Sequence, residues 1–162
     1  MIKSVLQKTC KLLFVLLLVS VPLLSFKAAP DTLQLVAWSN DCLHRVFDAS
    51  GDVKLKSWEL TLTDDYFLRL RKIYQNGKQE YFSCHLGSFD DLDYLGTAAS
   101  GLLKIKTRAD DVIVQTYNDR AGDVDTMATA LIIPVKNMQP DEVDSLRNAM
   151  LYLKTAQRLT GR

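Results

Sequence analysis

Histidine occurs only twice and cysteine three times in the 162 residues, which leaves little material for metal centres or for thiol and imidazole chemistry. Neither Gly-x-Ser-x-Gly nor Ser-x-x-Lys occurs, so the common serine-nucleophile signatures are excluded. Glycine-rich phosphate loops and dinucleotide fingerprints are missing as well. With seven glycines and four prolines, the chain holds no low-complexity tract, linker or internal repeat. These absences remove the recognisable enzyme classes and leave no expected cofactor.

Charge of one sign is also lacking, because the formal net charge is +1. The basic side chains are unevenly placed, however. Lys3, Lys8 and Lys11 precede an apolar run from Leu12 to Leu24 that only Ser20 and Pro22 interrupt. A basic segment followed by a short apolar one is the pattern of an export signal. A permanent membrane span needs about 20 apolar residues, which this run does not reach. Residues 1–29 are therefore expected to be a signal peptide. The sequence does not fix the cut site, since Phe26 and Lys27 before Ala28 and Ala29 are not the small residues that usually precede it. Retained instead, the segment would anchor the domain on the same outer side of the membrane and be its only membrane contact. Either way the expected location is extracytoplasmic, periplasmic or secreted.

Residues 30–162 form one domain by length. Removing residues 1–29 takes away Lys3, Lys8, Lys11 and Lys27 and no acid. That leaves sixteen basic against 19 acidic side chains, a net charge of −3. A domain with this balance is not expected to bind nucleic acid. Discarding Cys10 also leaves Cys42 and Cys84, and in an oxidising compartment such a pair is expected to form a disulfide.

Apolar spacing after Pro30 is helical, running through Leu33, Val36, Ala37, Leu43, Val46 and Phe47, with Asn40 in the polar slot of the stripe. Asp31 with Gln34 makes a capping-box start, although a strand over Leu33 to Trp38 competes. From Val53 the period changes to two, with polar turns at Asp64-Asp65, Asn76-Gly77, Asp110-Asp111 and Asn118 to Asp123. Seven strands are expected: Lys54–Thr63, Tyr66–Tyr74, Lys78–Leu86, Phe89–Leu95, Gly101–Thr107, Val112–Tyr117 and Asp125–Ile133. A three-residue loop Gln75-Asn76-Gly77 pairs Leu68 with Cys84, Leu70 with Phe82 and Lys72 with Glu80, which gathers Tyr66, Leu68, Leu70, Phe82, Cys84 and Leu86 on one face. Pro140 opens a final helix with Val143, Leu146, Ala149, Met150, Leu153 and Ala156 on its apolar side and Arg147 opposite.

The fold class is thus α+β: an antiparallel meander of about seven strands, an open barrel or curved sheet, with an N-terminal helix and a C-terminal amphipathic helix packed on it. This element order resembles that of pleckstrin-homology-like domains, and order alone implies no ligand. A lipocalin-like barrel is the nearest alternative.

Cys42, His44, Cys84 and His85 form two Cys/His clusters, but adjacent strand residues face opposite sides of a sheet, so four zinc ligands do not converge. Asp90, Asp91 and Asp93, like Asp119, Asp123 and Asp125, lack the spacing of a calcium loop and read as turn residues. No metal site is expected. Lys54 and Lys56, Arg69 and Arg71, and Lys104, Lys106 and Arg108 recur with period two on solvent faces. If those strands share a face, the seven cations form an anion-binding patch; otherwise they are solvated charges that discourage edge pairing. The expectation is a non-catalytic exported domain that binds another envelope protein or an anionic surface. A carrier of an apolar ligand and a hydrolase without a motif are the alternatives.

Overall fold

The computed structural model describes residues 31–51 and 55–160, the side chains of the last three excepted. The expected export segment and Lys54 lie outside them. Helix α1 (Thr32–Val46) starts where the Asp31 carboxylate accepts the Leu33 N–H at 3.1 Å, which supplies an acceptor to an otherwise unpaired first-turn donor. Its buried side is rotated from the expected stripe: Ser39 and Cys42 face inward with Val36, Leu43 and Val46, while Leu33 is exposed.

Among the described residues eight strands follow, one more than expected: β1 (Leu55–Leu62), β2 (Phe67–Tyr74), β3 (Gln79–His85), β4 (Phe89–Thr97), β5 (Ser100–Thr107), β6 (Val112–Tyr117), β7 (Asp125–Ala128) and β8 (Ala130–Lys136). Helix α2 (Pro140–Thr160) is the last described element. The strands form two antiparallel sheets, ordered β1-β2-β3-β6-β7 and β4-β5-β8. They do not close into a barrel, which leaves the curved-sheet form of the expected α+β fold.

The β2–β3 hairpin has the expected register, with Leu68 opposite Cys84, Leu70 opposite Phe82 and Lys72 opposite Glu80. Gly77 takes a φ of 87°, the left-handed position that a bulged three-residue loop requires. The expected strand Asp125–Ile133 divides at Thr129, whose carbonyl accepts from the Thr107 N–H at 2.9 Å. In β7 only Ala128, opposite buried Val112, is partly buried, whereas in β8 the odd-numbered Leu131, Ile133 and Val135 face inward. That one-residue change of phase lets the chain leave β6 and join β5 in the other sheet.

Leu60, Leu70, Leu86, Leu103, Ile105 and Ile133 fill the space between the sheets with no measurable exposure. Leu146, Met150 and Leu153 of α2 join the same core. Gly101 lies under the Tyr94 ring, and a Cβ there would come within 2.5 Å of the phenol oxygen.

Both helices also engage sheet edges. Asn40 of α1 donates to the Leu62 carbonyl at 2.8 Å and accepts the Leu62 N–H at 2.7 Å, while His44 Nε2 lies 2.6 Å from the Leu60 carbonyl. Together they substitute for a neighbouring strand on the outer side of β1. On α2, Arg147 Nη2 donates to the Leu92 carbonyl at 2.6 Å, and Lys154 Nζ donates to the Phe89 carbonyl. Arg147 is therefore not on the solvent side, as the helical stripe implied, but against the edge of β4. Beyond α1, the Asp48 N–H donates to the Pro134 carbonyl at 2.9 Å and Phe47 bridges Val135, covering part of β8.

Candidate functional groove on the five-stranded sheet

The outer face of the five-stranded sheet is uncovered by either helix's edge contacts and carries a graded set of polar and aromatic side chains. Strand register places Glu59, Arg71, Tyr81, Gln115 and Asp125 in one row across all five strands. Ile73, Gln79 and Tyr117 make the neighbouring row. Alternation explains the choice of residues: Leu70, Phe82 and Val114 turn toward the core, so Arg71, Tyr81 and Gln115 turn away from it.

These rows and the β6–β7 turn border an open groove of ≈ 630 Å³ lined by Arg71, Gln79, Tyr81, Gln115, Tyr117, Asn118 and Asp123. A second depression of ≈ 220 Å³, bordered by Glu59, Arg69 and Arg71, lies along the same face. The polar groups are held by one another. Arg71 Nη2 donates to Gln79 Oε1 at 2.8 Å, the Tyr117 hydroxyl donates to Gln115 Oε1 at 3.1 Å, and Gln115 Nε2 donates to Asp125 Oδ1 at 3.2 Å. At one end, Lys78 pairs with Asp119 at 2.9 Å and Glu80 at 3.0 Å, and Asn118 donates to the Gly77 carbonyl at 3.4 Å. The hydrogen bond from Lys78 holds the Asp119 carboxyl below the usual carboxylate range, and the same contact raises the Lys78 ammonium. This end of the groove is thus pinned to the β2–β3 hairpin.

Of the seven basic residues, the six that the structure describes do not share a face. Arg69 and Arg71 stand on the outer side of the five-stranded sheet, whereas Lys104 and Lys106 belong to β5 in the other sheet. Lys106 pairs with Asp93 at 3.1 Å and Asp91 at 3.4 Å, and Arg108 donates to the Gly87 carbonyl at 2.9 Å. Lys56 is exposed at the irregular start of β1. Arg69 lies 5.2 Å above the Phe67 ring, with its Nε buried and without an acceptor. The expected anion-binding face is therefore corrected: its cations are divided between two sheets, and several are engaged by acids or carbonyls.

The expected Cys42–Cys84 disulfide is likewise not formed, and both thiols are free and buried. Cys42 stands beside the Arg45–Glu142 ion pair that joins the helices, while Cys84 lies inside the sheet opposite Leu68. Burial pushes the Cys84 thiol up to about 12, and burial also raises Cys42. Among the described residues, no group of three or more His, Cys, Asp or Glu side chains could hold a metal ion. His44 is engaged at β1, and His85 Nδ1 accepts the Gly87 N–H at 3.3 Å at the start of a short 3₁₀ turn.

Sequence reasoning passed over Tyr81, Gln79, Gln115 and Tyr117. Their signal was present: tyrosines placed on the solvent phase of strands whose other phase was already filled with Phe82 and Val114. Compared with models of known protein families, with curated proteins and with solved structures, the chain matches none.

Proposed function

We propose that the chain is an exported, non-catalytic binding domain of the cell envelope or secreted fraction, and that it holds its ligand in the groove of the five-stranded sheet. The export part rests on the lysine-flanked apolar run at the N-terminus. The binding part rests on one observation, the concave surface lined by two tyrosines and mutually hydrogen-bonded polar side chains. Side chains already fixed in place lose little freedom when a ligand arrives, which favours recognition. The carrier alternative draws no support from the filled space between the sheets.

The test is recovery of bound material of any chemical class with the native chain from the envelope fraction, compared with Tyr117→Ala. Material that is recovered with the native chain and lost with the variant supports the reading. Material recovered equally with both, or none with either, removes the groove as the binding surface.

A further inference from the structure

We propose that the groove takes an uncharged oligosaccharide, an inference that rests on the binding reading above and names its ligand class. The charged side chains lining the groove, Arg71 and Asp123, offset one another. Arg71 faces Glu59 across the β1–β2 pair, and Asp123 and Asp125 stand at the other end. An anionic ligand would meet those carboxylates and gain little from one guanidinium. An apolar ligand would find no aliphatic side chain in the lining, only the two phenol rings. A peptide is recognised on a sheet mainly through free backbone groups at an edge. The groove lies on a face, where β2, β3 and β6 already spend their backbone groups on one another.

What remains are donors at one end, from Arg71 and Gln79, and carboxylate acceptors at the other, from Asp123 and Asp125. Hydroxyl groups serve both, since each donates and accepts. Tyr81 lies opposite Gln115 and Tyr117 opposite Gln79, so the two tyrosines are diagonal neighbours across β3 and β6, about 7 to 8 Å apart at their backbones. The C–H-rich face of a pyranose ring is apolar and weakly electropositive, and it packs on the electron-rich face of an aromatic ring. Two rings set along a groove whose walls carry planar amides and carboxylates thus fit successive sugars of a neutral chain. The Tyr117–Gln115–Asp125 hydrogen-bond series fixes the central wall before the ligand arrives.

The purified full chain is run through native gels containing hydroxyethylcellulose, glycol chitin, arabinoxylan or a mixed-linkage β-glucan, with heparin and polygalacturonate as charged controls. The expected result is retardation by at least one uncharged polymer, unchanged by raised salt and weakened by roughly tenfold or more in Tyr117→Ala. Asp123→Asn, in the exposed turn, gives the same readout should Tyr117→Ala lower the urea midpoint. Migration unaffected by every uncharged polymer overturns the inference, as does retardation by the polyanions alone that salt abolishes. Retardation equal in the native chain and both variants overturns it too. If the polymers fail while Tyr117→Ala still abolishes recovery of a protein or lipid from the envelope fraction, the sugar class falls and the binding groove stands. If that recovery also fails, both fall.

Discussion

Arg147 carries more structure than its place on the helix implies. Its guanidinium donates to the Leu92 carbonyl through two nitrogens and to Asp91 and Asp144 at 3.2 and 2.6 Å. A hydrogen bond to a charged group contributes about 1.5 to 3 kcal/mol. Arg147→Ala is therefore expected to lower stability by about that much in urea unfolding, whereas exposed Arg120→Ala leaves the midpoint unchanged; equal midpoints for the two would remove Arg147 from the account. The cysteines make a second prediction at this scale. With both thiols buried and the Cys84 thiolate disfavoured by burial, a thiol reagent is expected to modify neither Cys42 nor Cys84 in the native protein and both after unfolding. A native mass lighter by two hydrogen atoms would show a bridge instead.

Helix α1 is an amphipathic element that meets the edge of β1 through two polar side chains, Asn40 and His44. Asn40→Ala leaves a backbone donor and acceptor of Leu62 unmet, at a cost of about 1 to 3 kcal/mol measured by denaturation. Asn40→Leu should be no better, since a larger apolar side chain restores neither hydrogen bond; a stabilised Leu variant would contradict the bonding scheme. The sequence displays Asn40 as an anomaly but not as a solution, because its partner lies 22 positions away on a strand edge. Some local features were readable, whereas the buried side of α1 and the edge contact of Arg147 were not. The Asn76-Gly77 register follows from face sorting, and the final helix from Pro140 and its stripe. Assignment of strands to sheets was not, for it depends on the change of phase at Thr129, hidden in a stretch from Asp125 to Ala130 with few apolar markers. The groove was illegible for the same reason, being assembled from three strands and a turn.

For the whole molecule, ionic contacts set the pH range of stability. Several carboxyls have depressed values: Asp91 through the Leu92 N–H, Glu142 through the Gln139 N–H, and Asp119 through Lys78. A depressed folded value means the contribution is present above the unfolded value and is lost as pH falls through the folded one. Lys78 and Lys106 are raised, chiefly by hydrogen bonds to Asp119 and Asp93, so their contribution is lost only as pH rises past the ordinary lysine range. The urea midpoint is expected to be level near neutrality, falling below about pH 4 and again from about pH 8.5 upward, first because the unfolded chain ionises the thiols that burial keeps protonated in Cys42 and Cys84 and then as the lysine contacts are lost; a midpoint that climbs through the acid limb would contradict these contacts. Removing α2 tests the core on the same scale. A chain ending at Gln139 should scatter light and sediment as aggregate, because it uncovers the core side of Leu86 and Leu92; a soluble product with one cooperative transition would show that the helix is not part of the core. The edge contacts of α2 have a temporal consequence. Ribosomes deliver the 21 residues of α2 only after β4 is complete, so a nascent chain passes through an interval in which Phe89 and Leu92 offer bare carbonyls to neighbouring chains. A product that stops before Pro140 lacks the arginine and lysine that cover those carbonyls.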